Sequence, residues 1–241
     1  RRGGGSLKVL SNEPLIRRRS RRAQIANLAG LLVLGAGLVI SLIKPEWAIY
    51  TLGLLVIGVI ASQYGIVQAF RYARKPRPDE ELASALKGLD DRFRLYNFVM
   101  PADHVLLTPR GLYTVVLKSV DGKVVCEGKT CKQERKFSLG RLLRLFSPES
   151  LGNPLREAQW EAEALTKWLA EKAPEATTGV EGAVVFLSPK VDLEARNPDA
   201  LTVRAKALKD ALRKTEKPAL GAEEHRRLVR LFDETAAAQA K

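Results

Sequence analysis

The sequence predicts a two-helix transmembrane hairpin that carries a mixed α/β domain. Residues 23–43 and 47–70 contain no charged side chain, and each stretch is as long as the roughly 20 apolar residues that a helix needs to cross the hydrocarbon core. From residue 79 onward, strand-like runs alternate with amphipathic helical runs, which is typical of one mixed α/β core. We therefore divide the chain into a basic cytoplasmic N-terminal segment, the hairpin, a basic linker containing prolines and the α/β domain: 1–22, 23–70, 71–78 and 79–241.

The excess positive charge lies beside the two hydrophobic stretches. Of the net charge of +13, residues 1–22 carry +7 and residues 71–77 carry +4, while the connector Lys44-Pro45-Glu46 is neutral. Because loops rich in Lys and Arg stay on the cytoplasmic side, we predict a multi-pass protein of the cell (inner) membrane with both termini in the cytoplasm. The alternatives are a cleaved signal peptide, which would be shorter and single, and a buried soluble hairpin, for which the rest of the chain is too polar.

Small residues recur at four-residue spacing within both stretches. This spacing allows two helix backbones to approach closely, and we favour packing within the hairpin over oligomerisation. The pairs are Gly37 with Ser41, Gly58 with Ser62, and Ala61 with Gly65.

The α/β domain is predicted to run from a helix through a strand meander and a long helix to a buried strand. The first helix follows Pro78 and carries an apolar stripe over 82–89, and Asp121-Gly122 predicts a hairpin turn. The tail 236–241 is predicted to fray. The predicted strands are 92–100, 104–107, 112–120, 123–127, 180–187 and 201–204, and the later helices are 153–172, 205–213 and 222–233.

Several pieces of this order together resemble one known family. They are Asp103 to Leu107 entering a strand, Gly111 to Tyr113, the strand ending at Lys118, Asp121 to Val124, Asn153-Pro154 opening a helix, and Ala183 to Leu187 followed by Pro189. The ordered set resembles the nuclease-related domain (NERD) family over roughly 79–233. The resemblance implies a restriction-endonuclease-like core.

The resemblance also implies a nuclease site, and this sequence departs from it. The family pattern has an Asp at the start of the second strand, then a Glu and a Lys two residues apart on the third, where alternation places them on one face. Such carboxylates hold Mg²⁺, which activates water. Asp103 and Lys118 match the Asp and the Lys, but Val116 stands at the Glu position. Glu157 stands where the family helix commonly has Gln.

We therefore expect a degenerate site without a metal or other cofactor, in a non-catalytic domain used for anchoring or interaction. In the alternative, Asp121, Glu127 or Glu157 replaces the missing carboxylate and the chain is a membrane-tethered Mg²⁺-dependent nuclease. A third interpretation is another membrane-tethered α/β module outside this family.

Cysteine and histidine are two further residue types that can bind a metal. Cys126 and Cys131 can face each other across a hairpin, but in a reducing cytoplasm we predict free thiols rather than a zinc site. His104 and His225 are predicted to be structural or exposed rather than metal ligands.

A basic segment at 129–144 has a local net charge of +5. It predicts contact with a polyanion or with lipid headgroups, although plain solvation explains it equally well. The partners we expect are the lipid membrane and another membrane protein or complex, with nucleic acid bound weakly at most. The basic residues are Lys129, Lys132, Arg135, Lys136, Arg141 and Arg144.

Overall fold

The computed structural model describes residues 6–134, 150–215 and 217–239, which belong to two compact units. One unit is the helical hairpin of residues 15–77. The other is the α/β domain, to which residues 6–14 and the described residues after 77 belong.

The hairpin consists of α1 (Glu13–Ile43), a 3₁₀ turn (Pro45–Trp47) and α2 (Ala48–Tyr72). Helix α1 begins within the basic segment 1–22 rather than at residue 23, because its arginines continue the helix before the apolar stretch. Both helices are long and apolar enough to cross a membrane.

Glycines allow the two helices to approach closely. A Cβ added at Gly65 would lie 2.5 Å from the backbone nitrogen of Asn27, and one at Gly30 would lie 2.5 Å from that of Ser62. The Ser62 hydroxyl also donates to Asn27 Oδ1 at 3.2 Å. The prediction of packing within the hairpin is confirmed for Gly58, Ser62 and Gly65, and Gly30 joins them although the sequence pattern did not single it out.

The described residues of the α/β domain form nine strands in two sheets. In chain order the strands are β1 (Lys8–Ser11), β2 (Arg94–Asn97), β3 (His104–Thr108), β4 (Gly111–Lys118), β5 (Gly122–Gly128), β6 (Thr130–Gln133), β7 (Val180–Phe186), β8 (Val191–Pro198) and β9 (Leu201–Arg204). The larger sheet has the order β1-β2-β3-β4-β7-β9, and the smaller one has the order β6-β5-β8. Strands β2, β3 and β4 form an antiparallel meander, and β7 lies parallel to β4.

Helices cover both faces of the larger sheet. They are α3 (Pro78–Ala85), α4 (Pro154–Lys172), α5 (Ala205–Lys214) and α6 (Ala222–Gln239). On one face, Leu82 of α3 and Leu208 of α5 are buried with Tyr113 of β4. On the other, Leu165 of α4 and Phe232 of α6 are buried in the cluster that contains Leu112 of β4. Alternation along β4 thus separates the two cores, and the predicted mixed α/β class is confirmed.

Residues before the hairpin complete the larger sheet. Strand β1 pairs in parallel with β2, from Lys8 opposite Arg94 to Ser11 opposite Asn97. Directly after β1, the Asn12 side chain donates to the Phe98 carbonyl at 3.2 Å and to Gln239 Oε1 at 2.8 Å. The sequence pattern did not predict this strand, because four residues beside a long helix carry little periodicity.

Two local predictions are wrong. Asp121-Gly122 does not form a hairpin turn, since β4 and β5 belong to different sheets and the chain crosses between them there. The tail does not fray at 236, because α6 continues to Gln239 and Ala236 is buried against the sheet.

The prediction of free thiols is also wrong. Cys126 of β5 is directly opposite Cys131 of β6, with their Cα atoms 4.0 Å apart, and the two form a disulfide. The cross-strand register brings the side chains together, as the spacing of the two cysteines allowed. Both sulfurs lie in an apolar cluster with Leu155 of α4 and Phe186 of β7.

Candidate functional site

Strand β4 places Val116 and Lys118 on the face that α4 covers. Val116 is buried in the apolar cluster that contains Leu155 and Ala158 of α4. Lys118 is the last residue of the strand, and it too is buried, at 8% exposure. A buried lysine needs a counter-charge close by, because removing an ammonium group from water is costly.

Glu157 of α4 provides that counter-charge. Lys118 Nζ lies 2.8 Å from Glu157 Oε2 and 3.1 Å from Oε1, so both carboxylate oxygens are within reach. The Glu157 side chain is 38% exposed, against 10% for Lys118. The ion pair therefore has one buried cation and one carboxylate that remains accessible to solvent.

The start of α4 fixes the position of Glu157. The Asn153 side chain caps the helix by accepting from the Arg156 amide at 3.4 Å, and Pro154 occupies the first turn, where it is well tolerated. Gly152 has a φ of +57°, and a Cβ there would lie 2.9 Å from Glu157 Oε1. Only glycine combines this backbone conformation with room for the carboxylate.

Asp103 lies just before β3, beside the same part of β4. The pairing of β3 with β4 sets Val105 opposite Thr114, and the same register continued by two residues places Asp103 at the level of Val116. The Asp103 carbonyl accepts from the Phe98 amide at 2.7 Å, which closes the loop between β2 and β3. Asp103 is thus half-buried in register with the position that the family pattern assigns to Glu.

The histidines have structural partners. His104 is buried, its Nδ1 lies 2.9 Å from Asn97 Oδ1, and its ring meets the Phe98 ring edge-on at a centroid distance of 5.0 Å. His225 Nε2 lies 2.9 Å from the Arg92 carbonyl. Both side chains thus make contacts within the fold, and the prediction that neither is a metal ligand stays a prediction.

The other two candidate acids lie elsewhere. Asp121 connects the two sheets and accepts a hydrogen bond from the Ser188 hydroxyl at 2.5 Å. Glu127 is exposed on β5 of the smaller sheet. Of the three replacement acids, only Glu157 contacts Lys118 in the described part of the chain.

The acids around Lys118 do not fit a Mg²⁺ site. Within 6–134, 150–215 and 217–239, no three His, Cys, Asp or Glu residues lie together in a way that could hold a metal ion. Val116 offers no oxygen at the position opposite Asp103, and the Glu157 carboxylate is engaged by Lys118. Mg²⁺ prefers several oxygen ligands in a fixed octahedral arrangement, which these residues do not supply.

The basic segment is described only at its start. Lys129 and Lys132 are exposed at and just after the turn between β5 and β6. The remaining four, Arg135, Lys136, Arg141 and Arg144, lie outside the described residues.

A cavity of about 340 Å³ lies between the end of α4 and the start of α6, and none of the candidate residues lines it. Glu224 at its edge accepts hydrogen bonds from Thr177 and Thr178. The bond from the Thr178 hydroxyl is the main reason that the pKa of Glu224 is lowered. These bonds join α6 to the segment before β7, which is a structural role.

Comparison with known families agrees with part of the resemblance. Residues 77–187 match the model of the nuclease-related domain. The matched region contains Asp103, Val116, Lys118 and Glu157 and ends at Leu187, so the resemblance over 188–233 stays a prediction. No curated protein and no solved structure matches the chain.

The sequence pattern pointed to Val116, Lys118 and Glu157 as candidates but did not predict that the last two pair. Spacing placed Val116 and Lys118 on one face, and the family pattern marked Glu157 as an unusual residue. The ion pair between Lys118 and Glu157 was not predicted, because it depends on how closely α4 packs on the sheet. Gly182 of β7 sets that approach, since a Cβ there would lie 2.9 Å from the backbone of Ala158.

Proposed function

We propose that this chain is a membrane-anchored protein whose nuclease-related domain does not cut nucleic acid and acts in anchoring or interaction. It is an accessory component rather than an enzyme. The observation that carries the proposal is Val116, a buried apolar residue at the position where the family pattern needs a metal-binding Glu. The pairing of Lys118 with Glu157 supports it, because the remaining polar groups satisfy each other.

The order of elements supports a restriction-endonuclease-like core. Helix α3, the antiparallel meander β2-β3-β4, the crossover helix α4 and the parallel strand β7 follow one another as the resemblance implies. This run is also the part that matches the nuclease-related domain.

The pairing of β1 with β2 supports a hairpin that enters and leaves the membrane on one side. Residues before α1 and residues after α2 belong to the same sheet, so both flanks of the hairpin must lie on the same side of any bilayer that it crosses. The basic flanks favour the cytoplasmic side. The disulfide weighs against this orientation, since disulfides are typical of oxidising compartments.

The orientation is tested with a reporter that is active only outside the cytoplasm, fused after Lys241. We propose a cytoplasmic domain, so the fusion should give no signal, while a control with the reporter in the Lys44-Pro45-Glu46 connector should. A signal from the fusion after Lys241 would place the α/β domain, with its disulfide, outside the cytoplasm.

The proposed partners are the lipid membrane and another membrane protein or complex. The two basic flanks attract anionic headgroups, and the exposed Lys129 and Lys132 extend this character to the smaller sheet. Nucleic acid remains a weak partner at most.

The second candidate function is a membrane-tethered Mg²⁺-dependent nuclease in which Glu157 takes the place of the missing acid. The observation that favours it is the position of the Glu157 carboxylate, 2.8 Å from the lysine of the family pattern. The other proposed substitutes, Asp121 and Glu127, have no such contact with Lys118 in the described structure.

A calorimetric titration of Mg²⁺ into the full chain in mild detergent distinguishes the two functions. We expect no binding by the wild type, binding by Val116→Glu, and none by the matched control Val116→Gln, which adds a polar group of similar size without the charge. Binding by the wild type that disappears in Asp103→Asn would contradict the non-catalytic proposal.

A further inference from the structure

The Glu157 carboxylate occupies the space in which an external anion would meet Lys118. The lysine is nine-tenths buried, and the carboxylate that covers it is the more exposed partner. Both carboxylate oxygens lie within 3.1 Å of Nζ. A phosphate group offers the same feature, two anionic oxygens that accept charge-assisted hydrogen bonds from one ammonium group.

We propose that Glu157 is a blocking residue, an internal anion that prevents Lys118 from binding a phosphate group. The inference rests on the proposed non-catalytic function of this site, but it involves no metal. The pair is electrically neutral as it stands. With Gln at 157, Lys118 loses its counter-ion, and an entering phosphate would supply a new one.

Local geometry limits how far Glu157 can move away from Lys118. Its backbone amide donates to the Asn153 carbonyl at 3.0 Å, and its Oε1 faces Gly152. The capped start of α4 therefore fixes the backbone of Glu157 and keeps its carboxylate within reach of Lys118. A phosphate has to displace a tethered anion, whose effective concentration is high.

The chain offers a matched control on the same helix. Glu163 is exposed on α4 and accepts a hydrogen bond from Gln159 at 2.9 Å. Glu163→Gln changes the net charge as much as Glu157→Gln does, but at a site without a buried lysine. The difference between the two variants therefore reports the local effect at Lys118 rather than the general attraction of a more basic protein.

The experiment uses the full chain in phosphatidylcholine nanodiscs with EDTA present. Two readouts are compared for the wild type, Glu157→Gln, Glu163→Gln and the double variant Glu157→Gln with Lys118→Gln. The first is the rise in unfolding temperature caused by inorganic phosphate, against chloride at equal ionic strength. The second is the fluorescence anisotropy of a labelled DNA duplex.

We expect Glu157→Gln to bind phosphate at least about tenfold more tightly than the wild type, as one charge-assisted hydrogen bond allows. Glu163→Gln should change by less than about twofold, since exposed charges are screened, and the double variant should return to the wild-type value. If Glu157→Gln binds inorganic phosphate more tightly but not DNA, the inference holds for a free phosphate or a lipid headgroup. A gain with both supports it for nucleic acid.

Equal responses of Glu157→Gln and Glu163→Gln would overturn the inference, as would a gain that persists in the double variant. If Glu157→Gln does not fold, Glu157→Asp decides, because its shorter side chain withdraws the carboxylate while keeping the charge. That variant should show a smaller gain in phosphate affinity, and no gain would overturn the inference. These binding readouts are independent of Mg²⁺, so they fail or succeed separately from the proposed function.

Discussion

Lys8 and Asp233 form an ion pair of 2.8 Å although 225 positions separate them in the chain. Arg94 reaches the same carboxylate at 2.7 Å, and the Tyr96 hydroxyl donates to it at 2.8 Å. Side chains of β1 and β2 thus meet at the Asp233 carboxylate of α6. The α/β domain is assembled from residues on both sides of the hairpin.

Replacement of Asp233 should destabilise the domain in a pH-dependent way. Burial raises the pKa of Asp233, but the hydrogen bonds from Lys8 and Tyr96 and the charge of Arg94 outweigh it, so the pKa lies below its ordinary value of 3.8. The stabilisation is therefore complete above that value and is lost as the pH falls through the lower pKa of the folded state. We expect Asp233→Asn to lower the free energy of unfolding by about 2 kcal/mol at neutral pH.

Denaturant unfolding of both proteins between neutral and acidic pH checks this. The difference between them should shrink as the pH falls below 3.8, the ordinary pKa of the carboxyl group. Asp210→Asn, at an exposed position of α5, is the control and should leave stability unchanged at every pH. If the free energy of unfolding of Asp233→Asn stays below that of the wild type by the same amount at acidic pH, the charge of Asp233 is not what stabilises the domain.

A fragment that starts at Pro78 should be less stable than a domain that retains β1. Without residues 6–14, the backbone of β2 loses its parallel partner and Asn12 no longer bonds to Phe98 and Gln239. We expect a lower unfolding temperature and self-association through the exposed edge. A second protein, in which a Gly/Ser linker replaces residues 15–77, should remain monomeric by gel filtration. Equal unfolding temperatures of the two would contradict a structural role for β1.

The sequence predicted the elements with strong periodicity and missed β1, β6 and β8. Helix α4 and strand β7 were predicted almost to the residue, because Leu165 and Leu169 repeat at helical spacing and 183–187 is continuously apolar. Strand β1 and strand β6 have four residues each, and the mostly exposed strand β8 has few buried positions. Their structure depends on pairing with distant strands, which local patterning does not encode.

The Cys126–Cys131 disulfide should stabilise the smaller sheet. It closes a short loop of the unfolded chain, which is worth about 2 kcal/mol by the loop-entropy relation. Reduction of the wild type should therefore lower its unfolding temperature, measured by circular dichroism with and without a dithiol reductant. In the double variant Cys126→Ser with Cys131→Ser, the unfolding temperature should be low and insensitive to the reductant. If complete reduction leaves the unfolding temperature of the wild type unchanged, this would contradict a stabilising role of the disulfide.

A larger residue at Gly65 should separate the two helices of the hairpin. The added Cβ would come within 2.5 Å of the Asn27 backbone, which no side-chain rotation relieves, and we expect Gly65→Val to cost about 1–3 kcal/mol. Gly53→Val is the control, since a Cβ there meets nothing within 4 Å. Thermal unfolding in detergent compares them. Equal stabilities would mean that Gly65 is not a close contact between α1 and α2.

The candidate site was predictable as a set of residues but not as an arrangement. The family pattern marked Asp103, Val116, Lys118 and Glu157 as the positions to compare. It could not tell whether Glu157 completes a metal site or neutralises the lysine, because both need the same residue at the start of α4. The distance between Lys118 and Glu157 favours neutralisation.

The most direct test of the central claim is a cleavage assay with the full chain, a DNA duplex and Mg²⁺. We expect the DNA to stay intact with the wild type and with Asp103→Ala, because Val116 supplies no metal ligand. Cleavage that appears only in Val116→Glu would support a nuclease ancestry without present activity. Mg²⁺-dependent cleavage by the wild type that is lost in both Asp103→Ala and Lys118→Ala would contradict the account.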